Sequence, residues 1–206
     1  MAEITAITPQ AKDKERCNVY VDGKFYCGMK LETVLSCRLK AGDVIDPARL
    51  DEIQLENEKA QALDRALTHL SVTMKTEKEM SDFLHKKGYV DAVCEYVLEK
   101  LRTYSYVDDA EYCAQYVRSA GKGKGARLMR AELVRRGVRE ECIDEALSSL
   151  TGEAEAARQV AQKYMKGKEF TRENLSKAYR RLLSRGFDYD TAKSALASLG
   201  AEEDDA

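Results

Sequence analysis

The feature that most limits how this chain can fold is a pattern that recurs three times at a spacing of 49 residues. Aligned without gaps, the segments 80–101, 129–150 and 178–199 share a leucine, a glycine and two further leucines. The matched positions are Leu84, Leu133 and Leu182; Gly88, Gly137 and Gly186; Leu98, Leu147 and Leu196; and Leu101, Leu150 and Leu199. A fixed period of this length indicates a repeat architecture.

Each repeat has the pattern of a helix, a glycine-capped turn and a second helix. An apolar residue four positions before the first leucine gives the i, i+4 stripe of an amphipathic helix. A basic residue (Lys87, Arg136 or Arg185) then falls in the last turn, where it complements the helix dipole. The glycine that follows is the residue best suited to the left-handed position just after a helix.

A further helix precedes each of these pairs, predicted over 57–72, 108–119 and 153–167. The fold class predicted is mainly α, with three tandem three-helix repeats in an elongated, curved array, because a unit of this size buries little apolar surface alone. A small α/β module containing a β-hairpin precedes them. The predicted domains are 1–55 for this module, 56–104, 105–151 and 152–200 for the repeats, and 201–206 for an acidic tail.

The N-terminal module is predicted from alternation and turn residues. Apolar residues alternate over 17–21, Asp22 and Gly23 then give a two-residue hairpin signal, and a third strand ends at Pro9. Two short helices are expected after the hairpin, over 31–39 and 46–57. Asp46 would cap the second, with Pro47 at its first position.

Composition and residue spacing argue against several functional classes. No run of about 18 apolar residues and no secretory leader is evident, so the sequence predicts a cytoplasmic protein without a membrane partner. Six cysteines occur without a Cys-x-x-Cys pair, and His69 and His85 fall on different predicted helices. We therefore expect free thiols, no metal, no cofactor and no enzymatic activity.

Positive charge is concentrated in the second repeat. Residues 117–138 carry seven basic side chains and a single acidic one, Glu132, although the whole chain has a net charge of −2. At about 100° per residue, Lys124, Arg127 and Arg135 share one helix face. The basic residues predicted to lie on outward faces of the second and third repeats are Lys124, Arg127, Arg130, Arg135, Arg136, Arg139, Lys168, Arg172, Arg180 and Arg181. They form either a binding surface or an ordinary solvated face.

Three glycines, at 121, 123 and 125, lead into the helix that carries this face. Such a loop would let backbone N–H groups, Lys122 and Lys124 approach an anion or an acidic partner. The loop lacks the preceding strand and the Gly-Lys-Ser/Thr ending of a nucleotide-binding P-loop. A flexible linker between helices is the alternative.

The segment 104–138 resembles the core motif of the RecX family of recombination regulators. The matching residues are Tyr106, Val107, Asp108, Asp109, Tyr116, Val117, Arg118, Lys122, Gly123, Gly125, Arg127, Glu132, Leu133 and Gly137. The resemblance extends over about 57–200, and it implies tandem three-helix repeats. By position in the motif, it implies partner contacts at Arg118, Lys122, Gly123, Gly125 and Arg127.

The resemblance also implies a function. A member of this family would be a non-enzymatic protein that binds the RecA recombinase filament on single-stranded DNA. It would restrain ATP hydrolysis and strand exchange. A monomer is expected, and contact with the single-stranded DNA inside the filament is left open by the sequence. Two alternatives remain open on the residues alone: a helix-turn-helix-like protein that binds DNA directly, and an inert helical scaffold.

Overall fold

The computed structural model describes residues 1–11 and 13–204, and it describes side-chain surroundings up to residue 200. The strands are β1 (Ala2–Pro9), β2 (Arg16–Val21), β3 (Lys24–Lys30) and β4 (Val44–Ile45). The helices are α1 (Leu31–Ser36), α2 (Pro47–Leu70), α3 (Glu77–Lys86), α4 (Asp91–Thr103), α5 (Asp109–Ala120), α6 (Ala126–Arg135), α7 (Glu140–Ser148), α8 (Glu153–Met165), α9 (Arg172–Ser184) and α10 (Tyr189–Asp204). The prediction of a mainly α chain with three three-helix repeats and a small N-terminal module containing a β-hairpin is confirmed. The predicted acidic tail, 201–206, lies outside the residues whose side chains are described.

The chain divides into two units. Unit 1 contains Met1–Met74 and Met80–Tyr106; unit 2 contains Lys75–Glu79 and the residues from Val107 onward. The start of α3 therefore belongs to unit 2, together with the second and third repeats. The domain boundaries given above stay a prediction.

The N-terminal module is built on a four-stranded antiparallel sheet in the order β3-β2-β1-β4. Asp22 and Gly23 join β2 to β3 with φ of 48° and 76°, so the predicted two-residue hairpin is confirmed. β4 was not predicted, since its two residues, paired with Ala2 and Glu3, are too few to show alternation.

The prediction of two separate helices over 46–57 and 57–72 is wrong, because α2 is continuous from Pro47 to Leu70. Asp46 does cap it, accepting a hydrogen bond from the Ala48 N–H at 3.1 Å. Asn57, in the middle of α2, is fully buried. Its side chain accepts from the Lys30 N–H at 2.9 Å and donates to the Gly28 carbonyl at 3.2 Å. The Asn57 side chain therefore satisfies backbone groups at the outer edge of β3 that a fifth strand would otherwise bond.

The three repeats comprise α2–α4, α5–α7 and α8–α10, as the period predicted. The first matched leucine of each repeat is fully buried. The predicted left-handed geometry of the following glycine is confirmed, with φ of 87° at Gly88, 79° at Gly137 and 86° at Gly186. Asp108 caps α5 through its carboxylate, which accepts from two backbone N–H groups at 2.9 and 3.1 Å. In unit 2, the second and third repeats have separate apolar cores.

Candidate partner-binding face

α6 has a buried stripe and an exposed stripe on different sides. Met129 and Leu133 are fully buried. The exposed residues of the helix are Arg127, Arg130, Ala131, Val134 and Arg135. The predicted separation of a basic face from a core face is therefore confirmed for α6. We call this exposed set the α6 face.

Lys124 does not belong to the α6 face, contrary to prediction. Its ammonium lies 2.6 Å from the Glu132 carboxylate and 3.0 Å from the Tyr116 hydroxyl, and it lies over the Tyr116 ring. Burial lowers the pKa of Lys124, as do the nearby charges of Arg136 and other arginines. Lys124 thus joins α6 to α5 within the second repeat, and its charge is already compensated.

Arg136 is likewise engaged by other residues of unit 2, although its side chain is 36% exposed. Its guanidinium donates to the Tyr112 hydroxyl, lies 3.4 Å from the Glu79 carboxylate, and lies over the rings of Tyr112 and Tyr116 at 5.6 and 5.8 Å. Those two tyrosine rings are nearly parallel, with an interplanar angle of 9°. The arginine therefore stabilises the packing of unit 2, and it is poorly placed to contact a partner.

The glycine loop is a junction between repeats, so the alternative of a flexible linker is wrong, and the backbone N–H groups expected to approach an anion are already bonded. The predicted partner contacts of Lys122, Gly123 and Gly125 stay a prediction. The Gly125 N–H donates to the Arg185 carbonyl at 2.9 Å, and the Arg127 N–H to the Gly186 carbonyl at 3.2 Å. The Ala126 N–H donates to the Glu153 carboxylate at 2.9 Å. Because these groups occupy the start of α6, little donor capacity remains there for an external anion.

Close backbone approach explains why Gly125 is a glycine. A side chain there would overlap the backbone of Gly186 and Phe187. Gly123 contributes through its carbonyl, which accepts from the Arg185 guanidinium at 3.3 Å. The last helix pair of the third repeat is thereby fixed against the first turn of α6.

Several other basic residues predicted to contact a partner already interact with neighbouring groups of the protein. Arg118 pairs with Glu111 at 3.2 Å and Arg130 pairs with Asp144. Lys168 and Arg181 lie over the Tyr164 ring, at 3.3 and 5.4 Å from its centre. Arg180 donates to the Ser176 carbonyl within its own helix. These are surface contacts, which contribute little stability and are exchangeable.

Five of the predicted basic residues form no ion pair, side-chain hydrogen bond or ring contact with any residue in the described part of the chain. They are Lys122, Arg127, Arg135, Arg139 and Arg172, and all are exposed. Arg127 and Arg135 lie eight residues apart on the α6 face, which at about 100° per residue separates them by about 80° around the helix axis, so both charges fall on one broad face. Sequence reasoning missed Val134, the penultimate residue of α6, which is 49% exposed.

The six cysteines are free thiols, and burial raises the pKa of Cys27 and of Cys113 to about 11. Such thiols carry little thiolate at neutral pH, so they are weak nucleophiles. Among the residues with described side chains, no three His, Cys, Asp or Glu side chains are grouped to hold a metal. In the same part of the chain, no helix is long and apolar enough to cross a bilayer.

Four domain models of one family match the chain. They are described as the regulatory protein RecX N-terminal domain, over residues 2–46, and the first, second and third RecX three-helix domains, over 62–101, 108–147 and 152–196. The chain is 33% identical to regulatory protein RecX of Bacillus licheniformis, over 100% of this chain and 80% of the relative. It is 32% identical to regulatory protein RecX of Clostridium perfringens (strain 13 / Type A), over 98% and 99%.

Two solved structures are also similar. A crystal structure of regulatory protein RecX superposes with a TM-score of 0.68 at 30% identity, covering 94% of this chain and 98% of the other. The crystal structure of RecX from Lactobacillus salivarius superposes with a TM-score of 0.63 at 23% identity, covering 71% and 99%. The second shows likeness of fold alone.

Proposed function

Since the chain belongs to the RecX family of regulatory proteins, we propose that it regulates recombination by binding the filament that the RecA recombinase forms on single-stranded DNA. Binding would restrain ATP hydrolysis and strand exchange by the recombinase. The protein would act by occupying a surface, without chemistry of its own, as a monomer in the cytoplasm.

The observation that carries this proposal is the α6 face. Arg127 and Arg135 are exposed and have no ion-pair partner among the described residues. Their helix is held rigidly, because the start of α6 is bonded to the third repeat by three backbone N–H groups. The whole chain has a net charge of −2, and these two cations are concentrated on one helix. They would attract an acidic partner and steer its approach.

The test is a charge reversal on this face. The double variant Arg127→Glu/Arg135→Glu should weaken co-sedimentation with recombinase filaments on single-stranded DNA by about tenfold or more, because it replaces attraction by repulsion. Suppression of the recombinase ATPase should weaken in parallel. Lys124 is left unchanged, since reversing its charge would break the contacts with Glu132 and Tyr116.

The matched control is Lys24→Glu/Lys193→Glu, which changes the net charge equally at exposed positions outside the α6 face. It should bind filaments like the wild type. Equal binding by both double variants, with unchanged helix content, would remove the α6 face from the proposal.

Direct DNA binding of the helix-turn-helix type is the alternative. Recognition helices of that type contact base edges with their N-terminal residues. The N-terminus of α6 is instead covered by Glu153 and the backbone of Gly186. If bare single strands bound as tightly as filaments, with a log–log salt slope near −0.7 per phosphate contact, the alternative would replace our proposal.

A further inference from the structure

A cavity of about 390 Å³ lies in unit 2 where α5, the end of α7 and the start of α8 meet. Its apolar floor contains Val117 and Ala156, both buried, and the half-buried Leu150. One wall is formed by Gly121. A side chain there would come within 2.9 Å of the Leu150 methyl group, so the glycine allows the floor to close under the cavity.

The rim of the cavity carries positive charge and hydroxyl groups. Arg118 lies in the last turn of α5 and Lys122 in the turn that follows the helix; Ser149 and Thr151, just after α7, also line the cavity. Lys122 has no ion-pair partner among the described residues. Arg118 has a single carboxylate contact, with Glu111 at 3.2 Å, and its side chain is 67% exposed. An exposed pair of this kind contributes little stability, so an incoming carboxylate can replace it.

We propose that this cavity binds a short acidic segment of a partner protein. One apolar side chain of the segment lies on the Val117 and Ala156 floor, and one neighbouring carboxylate lies between Arg118 and Lys122. The Thr151 hydroxyl hydrogen-bonds to its backbone, and the Ser149 hydroxyl, which donates to the Ala146 carbonyl at 2.7 Å, accepts from a backbone N–H of the segment. This inference rests on the proposed function only for the source of the segment, which is then a recombinase subunit.

The charges around the cavity favour a peptide over a nucleic acid strand. Glu155 lines the cavity, and Glu111 lies beside Arg118. A strand of nucleic acid brings one negative charge with every nucleotide, and would therefore face both carboxylates. A peptide can place its single carboxylate on the basic side and turn an apolar residue toward the floor.

Two kinds of variant separate shape from charge. Gln159→Trp places a large side chain over the cavity at an exposed lining position and leaves the net charge unchanged. Thr151→Trp blocks the cavity from another side and serves as a second test of shape. Arg118→Gln/Lys122→Gln removes the positive rim, and Lys24→Gln/Lys193→Gln is its charge-matched control away from the cavity.

The probes are three fluorescein-labelled compounds, measured by fluorescence polarisation with the full chain. They are a blocked peptide of alternating leucine and glutamate, its leucine and glutamine counterpart, and a six-nucleotide oligothymidylate. The glutamate peptide should bind about tenfold more tightly than the glutamine peptide. Both tryptophan variants and the Arg118→Gln/Lys122→Gln variant should lose at least that factor, and the control should not.

Two results would overturn the inference. One is equal binding of the glutamate peptide by wild type and both tryptophan variants. The other is a result in which blocking the cavity abolishes oligothymidylate binding and leaves peptide binding unaffected. That result would assign the site to a phosphodiester strand.

Filament co-sedimentation in parallel keeps this inference separate from the proposed function. If the wild type binds the glutamate peptide through the cavity but does not co-sediment with filaments, the proposed function fails and the peptide site stands. If the wild type co-sediments, and the tryptophan variants bind both filament and peptide as well as the wild type does, the proposed function stands and the peptide site is refuted.

Discussion

The two junctions between consecutive repeats form the same contact with different chemical groups. At the first junction, inside unit 2, the Thr76 hydroxyl donates to the Arg136 carbonyl at 2.7 Å. At the second, the Gly125 backbone N–H donates to the Arg185 carbonyl at 2.9 Å. The donor and the acceptor of the second junction each lie 49 residues after those of the first, which is the length of the repeat. The repeat therefore preserves the position of a hydrogen bond while the donor changes from side chain to backbone.

A carboxylate completes both junctions in the same way. The Glu77 N–H donates to Asp109, and the Ala126 N–H donates to Glu153, each at 2.9 Å. Asp109 and Glu153 are the first residues of α5 and α8. In both cases, the first helix of one repeat thus supplies a negative charge to the start of the second helix of the repeat before it, where the dipole favours it.

The junctions differ most in how closely the chains approach. A side chain at Gly137 would overlap the Lys78 side chain, whereas one at Gly186 would overlap the backbone of Leu128. Gly88, at the matched position of the first repeat, has open space around it. Since backbone cannot move aside as a flexible side chain can, the second junction should be the less tolerant.

The largest expected effect is on the free energy of unfolding, in a series that replaces each of these three glycines by alanine. All three residues have positive φ, so each substitution costs about 1 kcal/mol of backbone strain. Gly88→Ala should cost little more. Gly186→Ala adds overlap with backbone and should lower the free energy of unfolding by roughly 3 kcal/mol or more, and Gly137→Ala should fall between. Urea unfolding of the three variants measures the order; equal losses would show that close approach is unimportant.

A smaller effect is expected at the donor that differs between the junctions. Thr76 is fully buried, and its oxygen also accepts from the Glu79 N–H at 3.1 Å. Thr76→Val keeps the shape but leaves that N–H and the Arg136 carbonyl without this partner, at a cost of about 2 kcal/mol. Thr73→Val, at an exposed position, is the control and should change stability by less than about 0.5 kcal/mol. Similar losses in the two variants would argue against the Thr76 hydrogen bonds.

The smallest effect concerns the carboxylate of the first junction. Burial raises the pKa of Asp109, with the Glu77 N–H and the charge of Arg139 acting in the opposite direction. The folded protein therefore holds this proton more tightly than the unfolded chain does. Stability should fall as pH rises from about 4 to the raised pKa, and this contribution should then stay level.

Asp109→Asn isolates that contribution, because an asparagine oxygen can still accept from the Glu77 N–H. Urea midpoints measured from pH 4 to pH 7 should show the variant gaining stability relative to the wild type as pH rises. A wild type that gains on the variant over this range would mean that hydrogen bonding and Arg139 outweigh burial at Asp109.

Much of the fold could be predicted from the sequence, because the responsible signals are local. The helix pairs follow from apolar spacing at Met129 and Leu133, the turns from glycine, and the hairpin from Asp22 and Gly23. α2 was wrongly divided at Asn57, since a polar residue in that position usually faces solvent. Its burial depends on the unpaired edge of β3, which lies 27 residues away in the chain.

The candidate site was predicted less well, because charge alone does not say which cations are already paired. Lys124 and Arg136 belong to the same basic run as Arg127 and Arg135. Lys124 and Arg136 lie against Glu132, Glu79 and two tyrosines, whereas Arg127 and Arg135 face solvent. Helix periodicity identified the exposed face of α6, but it does not extend to Lys124, which precedes the helix.

By itself, the sequence determined the three repeats, their helices and their left-handed turns, since apolar periodicity and glycine act within a few residues of one another. Only the tertiary structure decided which glycines allow two backbones to meet, which cations remain available to a partner, and where the Arg118 and Lys122 cavity opens. Those properties depend on groups tens of residues apart, and such distances are fixed only when the repeats pack together.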